Sequence, residues 1–218
     1  MKEVAKLLGY RESVKVIDAT LRDGGLVNDF YFTDDFVKKL YQTNIKAGVD
    51  YMELGYKASK ELFDEDKFGK WKFCNDDDIF EVIGDNADHQ IKLAAMADVG
   101  RCDYKTDIRN RSESPLDLIR VACYVHQIPA AVHMIEDAKN KGYEVSCNIM
   151  AISAPQESDV KAALDMIGPS PVDCIYIVDS FGALYPEATE RLMTVYRDTI
   201  AAAGKGVGMH AHNTQQLA

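Results

Sequence analysis

Along this chain, short runs of apolar and β-branched residues alternate with stretches in which apolar residues recur at helical spacing. Seven runs read as strands: VKVIDATL from Val14, VDYMELGY from Val49, IKLAAMADV from Ile91, LIRVACY from Leu118, EVSCNIMAI from Glu144, CIYIVDSFG from Cys174 and GVGMHAHN from Gly206. They are continuous rather than strictly alternating, as expected of strands covered on both faces of a parallel sheet. The segments between them carry helix punctuation. Thr33 caps a helix whose first turn holds Asp34 and Asp35, where carboxylates suit the helix dipole. NDDDIFEVI from Asn75 reads as a similar start, and its acidic run as a solvated helix end. Ser114-Pro115 places a capping residue before a first-turn proline. Pro129 opens a helix that closes at Lys141-Gly142, and Pro186 opens one that closes at Gly204.

Strands alternating with helices predict an α/β protein. No low-complexity stretch or linker interrupts the pattern, so one domain is expected over residues 1–218. An open doubly wound sheet would carry a G-x-G-x-x-G turn after the first strand. The first strand runs instead into TLRDGG. Polar residues stand at the C-terminal ends of many different strands: Arg22 and Asp23, Glu53, Asp98, Asn148, Asp179 and Ser180, His210 and His212. A ring of functional groups at strand C-termini is how a TIM (β/α)8-type barrel builds an active site. That barrel is the predicted fold, incomplete in this chain because seven strands are present rather than eight.

Charge and cysteine usage narrow the class. The formal net charge of −10, with no Lys/Arg cluster interleaved with aromatics, argues against a nucleic-acid partner. Cys74, Cys102, Cys123, Cys147 and Cys174 are odd in number and form no C-x-x-C clip. They read as reduced thiols of a cytoplasmic protein. The N-terminal MKEVAKLLGYRESVKV lacks the apolar run of a signal peptide, and no segment is long and apolar enough to span a membrane.

The candidate chemistry begins at HAHN, His210–Asn213. Side chains two apart on a strand share a face, so His210 and His212 can reach one metal ion. A carboxylate completes a common kind of divalent-ion site, and Asp23, just past the first strand, is the natural third ligand. Arg22 beside it offers a fixed fork of positive charge to a carboxylate or oxyanion. Gly24 and Gly25 would let backbone approach a ligand closely. A structural ion pair between Arg22 and Asp23 is the alternative reading of the same spacing.

IDATLRDGG at Ile17–Gly25 together with HAHN at His210–Asn213 resembles the DRE-TIM metallolyase superfamily, whose members include 3-hydroxy-3-methylglutaryl-CoA lyase and 4-hydroxy-2-oxovalerate aldolase. ELG at Glu53–Gly55, VDSFGALYP at Val178–Pro186 and the middle of the chain agree, the last most like the aldolase branch. The resemblance implies a divalent cation, Mn²⁺ or Mg²⁺, held by Asp23, His210 and His212. It implies a 2-oxo acid substrate, with pyruvate as the enolate partner, and Arg22 as the group that stabilises the enolate oxygen. Arg22 and Asp23 would be catalytic, and Arg22, Asn148 and Asn213 would contact substrate. Glu53 and Asp179 would orient the site or, on the plainer reading, cap strand ends. A homo-oligomer or a partner enzyme subunit fits the same pattern. Two alternatives stand beside the lyase: a Claisen-type synthase joining acyl-CoA to a 2-oxo acid, and a non-catalytic metal- or ligand-binding barrel.

Two departures from the aldolase pattern matter. Leu26 stands where that branch has its catalytic-base histidine, and leucine cannot move a proton. Tyr31, His126 and His133 are the remaining candidates, of which His133 falls mid-helix and reads as structural. His126 follows the fourth strand and could face the site, whereas His89 lies before the third strand, away from it. The branch's catalytic tyrosine belongs to the last section of the barrel, which does not occur before Ala218, so the sequence reads as a piece of a longer protein.

Overall fold

The structure, a computed structural model, describes residues 13–216. The stretch read above for a signal peptide lies mostly outside these residues. Seven parallel strands follow in chain order, each paired to the next: β1 (Ile17–Asp18), β2 (Tyr51–Tyr56), β3 (Lys92–Asp98), β4 (Leu118–Cys123), β5 (Glu144–Ile149), β6 (Cys174–Asp179) and β7 (Gly206–Ala211). The helices are α1 (Thr20–Asn28), α2 (Asp34–Ala47), α3 (Asp76–Val82), α4 (Ile128–Asn140), α5 (Glu157–Ile167) and α6 (Pro186–Ile200). A parallel sheet whose strands never skip a neighbour curls in one direction. Here it curls far enough to bring Asp23 of α1, just past β1, against His210 of β7, although β1 and β7 do not pair. The chain forms an incomplete TIM-type barrel, as the sequence predicts.

The capping chemistry explains most helix boundaries. The Thr33 hydroxyl accepts from the Phe36 N–H, and Gly48 closes α2 at φ 72°. Pro129 lies in the first turn of α4, and Gly142 follows that helix at φ 95°. Two local expectations fail. VKVIDATL pairs only over Ile17–Asp18, because its last residues, Thr20 and Leu21, already belong to α1. Both Asp18 carboxylate oxygens accept from Thr20, one from its N–H and one from its hydroxyl, which turns the chain out of the strand. Ser114-Pro115 begins no helix. The Ser114 hydroxyl oxygen accepts from the Leu116 N–H, and the segment runs directly into β4.

Register sorts the strand residues into two faces. Outward residues such as Ile119, Val121, Val145, Ile149, Ile175 and Ile177 are buried under the helices. The inward set is more polar. Glu53, Arg120, Ser146 and Asn148 are each 1 % exposed or less. Inward glycine makes room where it must: a Cβ on Gly208 would lie 2.4 Å from the Tyr176 ring. A cavity of about 550 Å³ opens between Ile17 and Ala19 on one side and Gly206–His210 on the other, floored by Arg120 and Tyr176.

Candidate functional site

Two elements bring the metal-ligand candidates together. α1 carries Arg22 and Asp23 in its first turn, and β7 aims His210 inward, with His212 just past the strand end. His210 Nε2 lies 3.2 Å from the nearer Asp23 oxygen and 3.4 Å from His212 Nε2. All three candidate donor atoms lie within 4.8 Å of one another. An ion with ligands at about 2.0–2.2 Å holds neighbouring donors about 3 Å apart, so the spacing and the mixed N/O donor set fit a divalent cation. His212 Nδ1 lies 2.9 Å from the Asp179 carbonyl oxygen. A proton on Nδ1 satisfies that carbonyl and leaves the Nε2 lone pair facing the shared centre. His210 and Arg22 hold the Asp23 carboxyl below its ordinary value, against the opposing effect of burial, which is the largest contribution.

Beneath the three donors runs a buried ion network. Glu53 Oε2 accepts from Arg22 Nε at 2.8 Å and from Arg120 Nη1 at 2.6 Å. Arg22 also pairs with Asp23 through Nη1. Arg120 donates to Asn148 Oδ1 at 2.7 Å, and its guanidinium lies 4.7 Å from the Tyr176 ring centroid. Burial pulls the Arg22 pKa down, but Glu53, Tyr56 and Asp23 outweigh it and leave the guanidinium more firmly charged than usual. The result is a cation held at a fixed angle beside the donor triad.

The other expected residues fall in different places. The Asp179 carboxylate accepts from Ala183 and Leu184 N–H, so its side chain shapes the loop after β6 while its carbonyl serves His212. The Asn148 amide donates to the Val121 carbonyl and the Ser146 hydroxyl while its oxygen holds Arg120, so it sits in the layer below the donors. Asn213 is exposed just beyond β7. Leu26 is 61 % exposed on α1. Tyr31 turns away, its hydroxyl donating to the Asp66 carbonyl at 3.3 Å. His126 stacks on Tyr124 and lines an outer groove with Pro129 and Asp159, so it does not face the site. His133 is exposed on α4, and His89 pairs with Asp117 at the opposite end of the strands. Gly25 serves packing rather than ligand approach. α1 ends with Asp29 and Phe30 in left-handed conformations, and the Phe30 ring folds back to within 2.2 Å of where a Gly25 Cβ would be.

Sequence reasoning passed over Arg120 and Tyr56. Arg120 had a signal, being the single charge inside the apolar run LIRVAC. Tyr56 had none in the alternation, because the register that turns it inward is irregular.

The HMGL-like family matches residues 13–218. The chain belongs to the HMGL-like family. Its relatives include the oxaloacetate decarboxylase of Mycobacterium tuberculosis, 25 % identical over 218 residues, covering 96 % of this chain and 59 % of the relative. They also include a 4-hydroxy-2-oxovalerate aldolase of Bacillus cereus, 26 % identical over 210 residues, covering 94 % of this chain and 58 % of the relative. The chain therefore spans under three-fifths of the length of these two curated relatives. In fold it is similar to the HMG-CoA lyase from Brucella melitensis, with a TM-score of 0.68 at 15 % identity over 94 % of this chain and 74 % of that one. The two curated relatives are named as a decarboxylase and an aldolase, and the similarity to the HMG-CoA lyase is one of fold. Among the described residues no helix is long and apolar enough to cross a membrane.

Proposed function

We propose that this HMGL-like chain carries the active site of a divalent-metal-dependent carbon–carbon lyase acting on a 2-oxo acid. The observation that carries the reading is the convergence of Asp23, His210 and His212 beside the guanidinium of Arg22. Mn²⁺ or Mg²⁺ suits a site of one carboxylate and two imidazoles with room for oxygen ligands. When bound, such a cation supplies Lewis acidity to the keto group of the substrate.

The chain's own residues do the remainder. Arg22 places fixed positive charge where the enolate oxygen develops, and Glu53 holds it there without rearrangement during the reaction. Arg120 and Asn148 brace Glu53 from below. The Asp179 carbonyl fixes the His212 tautomer. Asn213, next to His212, is the residue proposed to meet the substrate's far end. Five free cysteines, four of them buried, fit a reducing cytoplasmic setting.

A second reading, decarboxylation, has its own observation. Retro-aldol cleavage begins with removal of a hydroxyl proton by a base, whereas loss of carbon dioxide from a 2-oxo dicarboxylic acid does not. Leu26 offers no base, and Tyr31, His126 and His133 lie elsewhere. Pyruvate release, measured with Mg²⁺ present, from oxaloacetate and from 4-hydroxy-2-oxovalerate separates the two. Release from either supports a lyase, and faster release from oxaloacetate supports decarboxylation. Release from neither, with thiol liberated from acetyl-CoA in the presence of 2-oxo acids, would instead support a Claisen-type synthase. Tight 2-oxo acid binding without turnover would support a non-catalytic barrel.

A further inference from the structure

Cleavage that leaves an enolate must end with a proton delivered to carbon, and Leu26 cannot deliver it. β2 supplies a candidate. In an unbroken strand, residues three apart such as Glu53 and Tyr56 point to opposite faces. The pairing of β2 with β3 is not unbroken. Glu53 lies opposite Ala94 and Tyr56 opposite Met96, so β2 holds one extra residue between these points. Ala94 and Met96 share a face, so the bulge turns Tyr56 to the inward face that Glu53 occupies. Gly55 lies within this irregular stretch and lets the Trp71 backbone pack against it, because a Cβ there would lie 1.9 Å from the Trp71 carbonyl oxygen.

Once turned inward, the Tyr56 ring is held on several sides. Phe30 meets it edge-on with ring centroids 5.6 Å apart. The Arg22 guanidinium carbon lies 6.0 Å from its centroid and the Lys72 ammonium 4.7 Å. Lys72 is itself caged by Phe30, Phe63 and Phe68 and is 7 % exposed. The charged groups around Tyr56 are Arg22 from α1, Glu53 from β2, Asp98 from β3, Arg101 from the loop after β3 and Lys72 from the segment before α3. Burial pushes the Tyr56 hydroxyl up to about 12, against the pull of Arg22, so the phenol is protonated at neutral pH.

We propose that Tyr56 is the proton donor of this site, giving its phenolic proton to the enolate carbon that C–C cleavage leaves behind. The inference rests on the lyase reading. The electron pair of the broken bond stays on the 2-oxo fragment as an enolate. A C–H bond forms as the phenol O–H bond breaks. The phenolate, beside the charges of Arg22 and Lys72, regains a proton from water.

Run backward, the same transfer exchanges the methyl hydrogens of pyruvate with solvent. Proton NMR in D₂O, with the full chain, Mg²⁺ and pyruvate, reads this directly, above the protein-free rate. The unmodified protein is expected to exchange the methyl hydrogens at a rate that rises between pH 7 and 9 as more phenolate forms. Tyr56→Phe, which keeps the ring and its packing, should bind pyruvate within about threefold of the unmodified affinity. It should exchange about 100-fold more slowly and lose the pH slope. Equal exchange by both proteins would overturn the role of Tyr56 and leave the lyase reading standing. Absence of pyruvate binding by the unmodified protein would overturn the lyase reading, and this inference with it.

Discussion

Glu53 is the residue on which the largest share of the site's electrostatics converges. One of its oxygens accepts from two guanidinium groups, and it is fully buried. Buried charge is costly to leave unpaired, so removing one member of such a network is worse than never building it. Glu53→Gln keeps the shape and removes the charge, leaving Arg22 and Arg120 facing a neutral amide. The expected loss is about 3–5 kcal/mol in a denaturant titration, with activity falling as Arg22 loses its anchor. Much of this residue-level picture was legible in the sequence. Arg22, Asp23, Glu53, His210 and His212 are polar groups at the ends of apolar runs, and strand parity alone pairs the two histidines. The role of Asn148 was not, because it depends on Arg120 crossing the barrel interior, which no local pattern reports.

At the scale of elements, the instructive departures are α1 and the β2 bulge. TLRDGG contains two adjacent glycines, which disfavour a helix, yet it is helical because Asp18 fastens Thr20 and because Phe30 needs the bare Cα of Gly25. Those are local contacts at the two ends of the helix, and they override weak helix propensity. The consequence is functional: Arg22 and Asp23 project from a rigid turn rather than a mobile loop. The bulge was hidden for a related reason. Alternation assigns Tyr56 outward, and only pairing with β3 shows the extra residue. Gly55→Ala tests that element. The added methyl meets the Trp71 backbone and the Cys74 sulfur, which cannot both give way. The variant should lose about 1–3 kcal/mol, read as a drop of several degrees in Tm, and should disturb Tyr56 more than the His210–His212 pair.

For the molecule as a whole, the sheet has two unpaired margins, β1 and β7, and the donor triad joins them at one end. Central strands are covered on both sides, and marginal ones are not. Amide hydrogen exchange should therefore be slowest in β3–β5 and fastest in β1 and β7. A cation that binds the folded state alone adds stability by mass action, about 2.7 kcal/mol at a hundredfold excess over Kd. Because Asp23 belongs to α1, and His210 to β7 with His212 just past its end, that gain should appear as slowed exchange at both margins together. The barrel class was legible from the order of strands and the polar ring at their ends. Its curvature, which brings Asp23 to His210, follows from every strand pairing with its sequence neighbour.

Whether Asp23, His210 and His212 together hold a divalent cation is read most directly by isothermal titration of the metal-free protein with Mn²⁺. One site per chain is expected, weakened at least tenfold by each of Asp23→Asn, His210→Ala and His212→Ala, with pyruvate binding lost alongside. Binding of equal strength in all three variants, or no binding in the unmodified protein, would contradict that expectation.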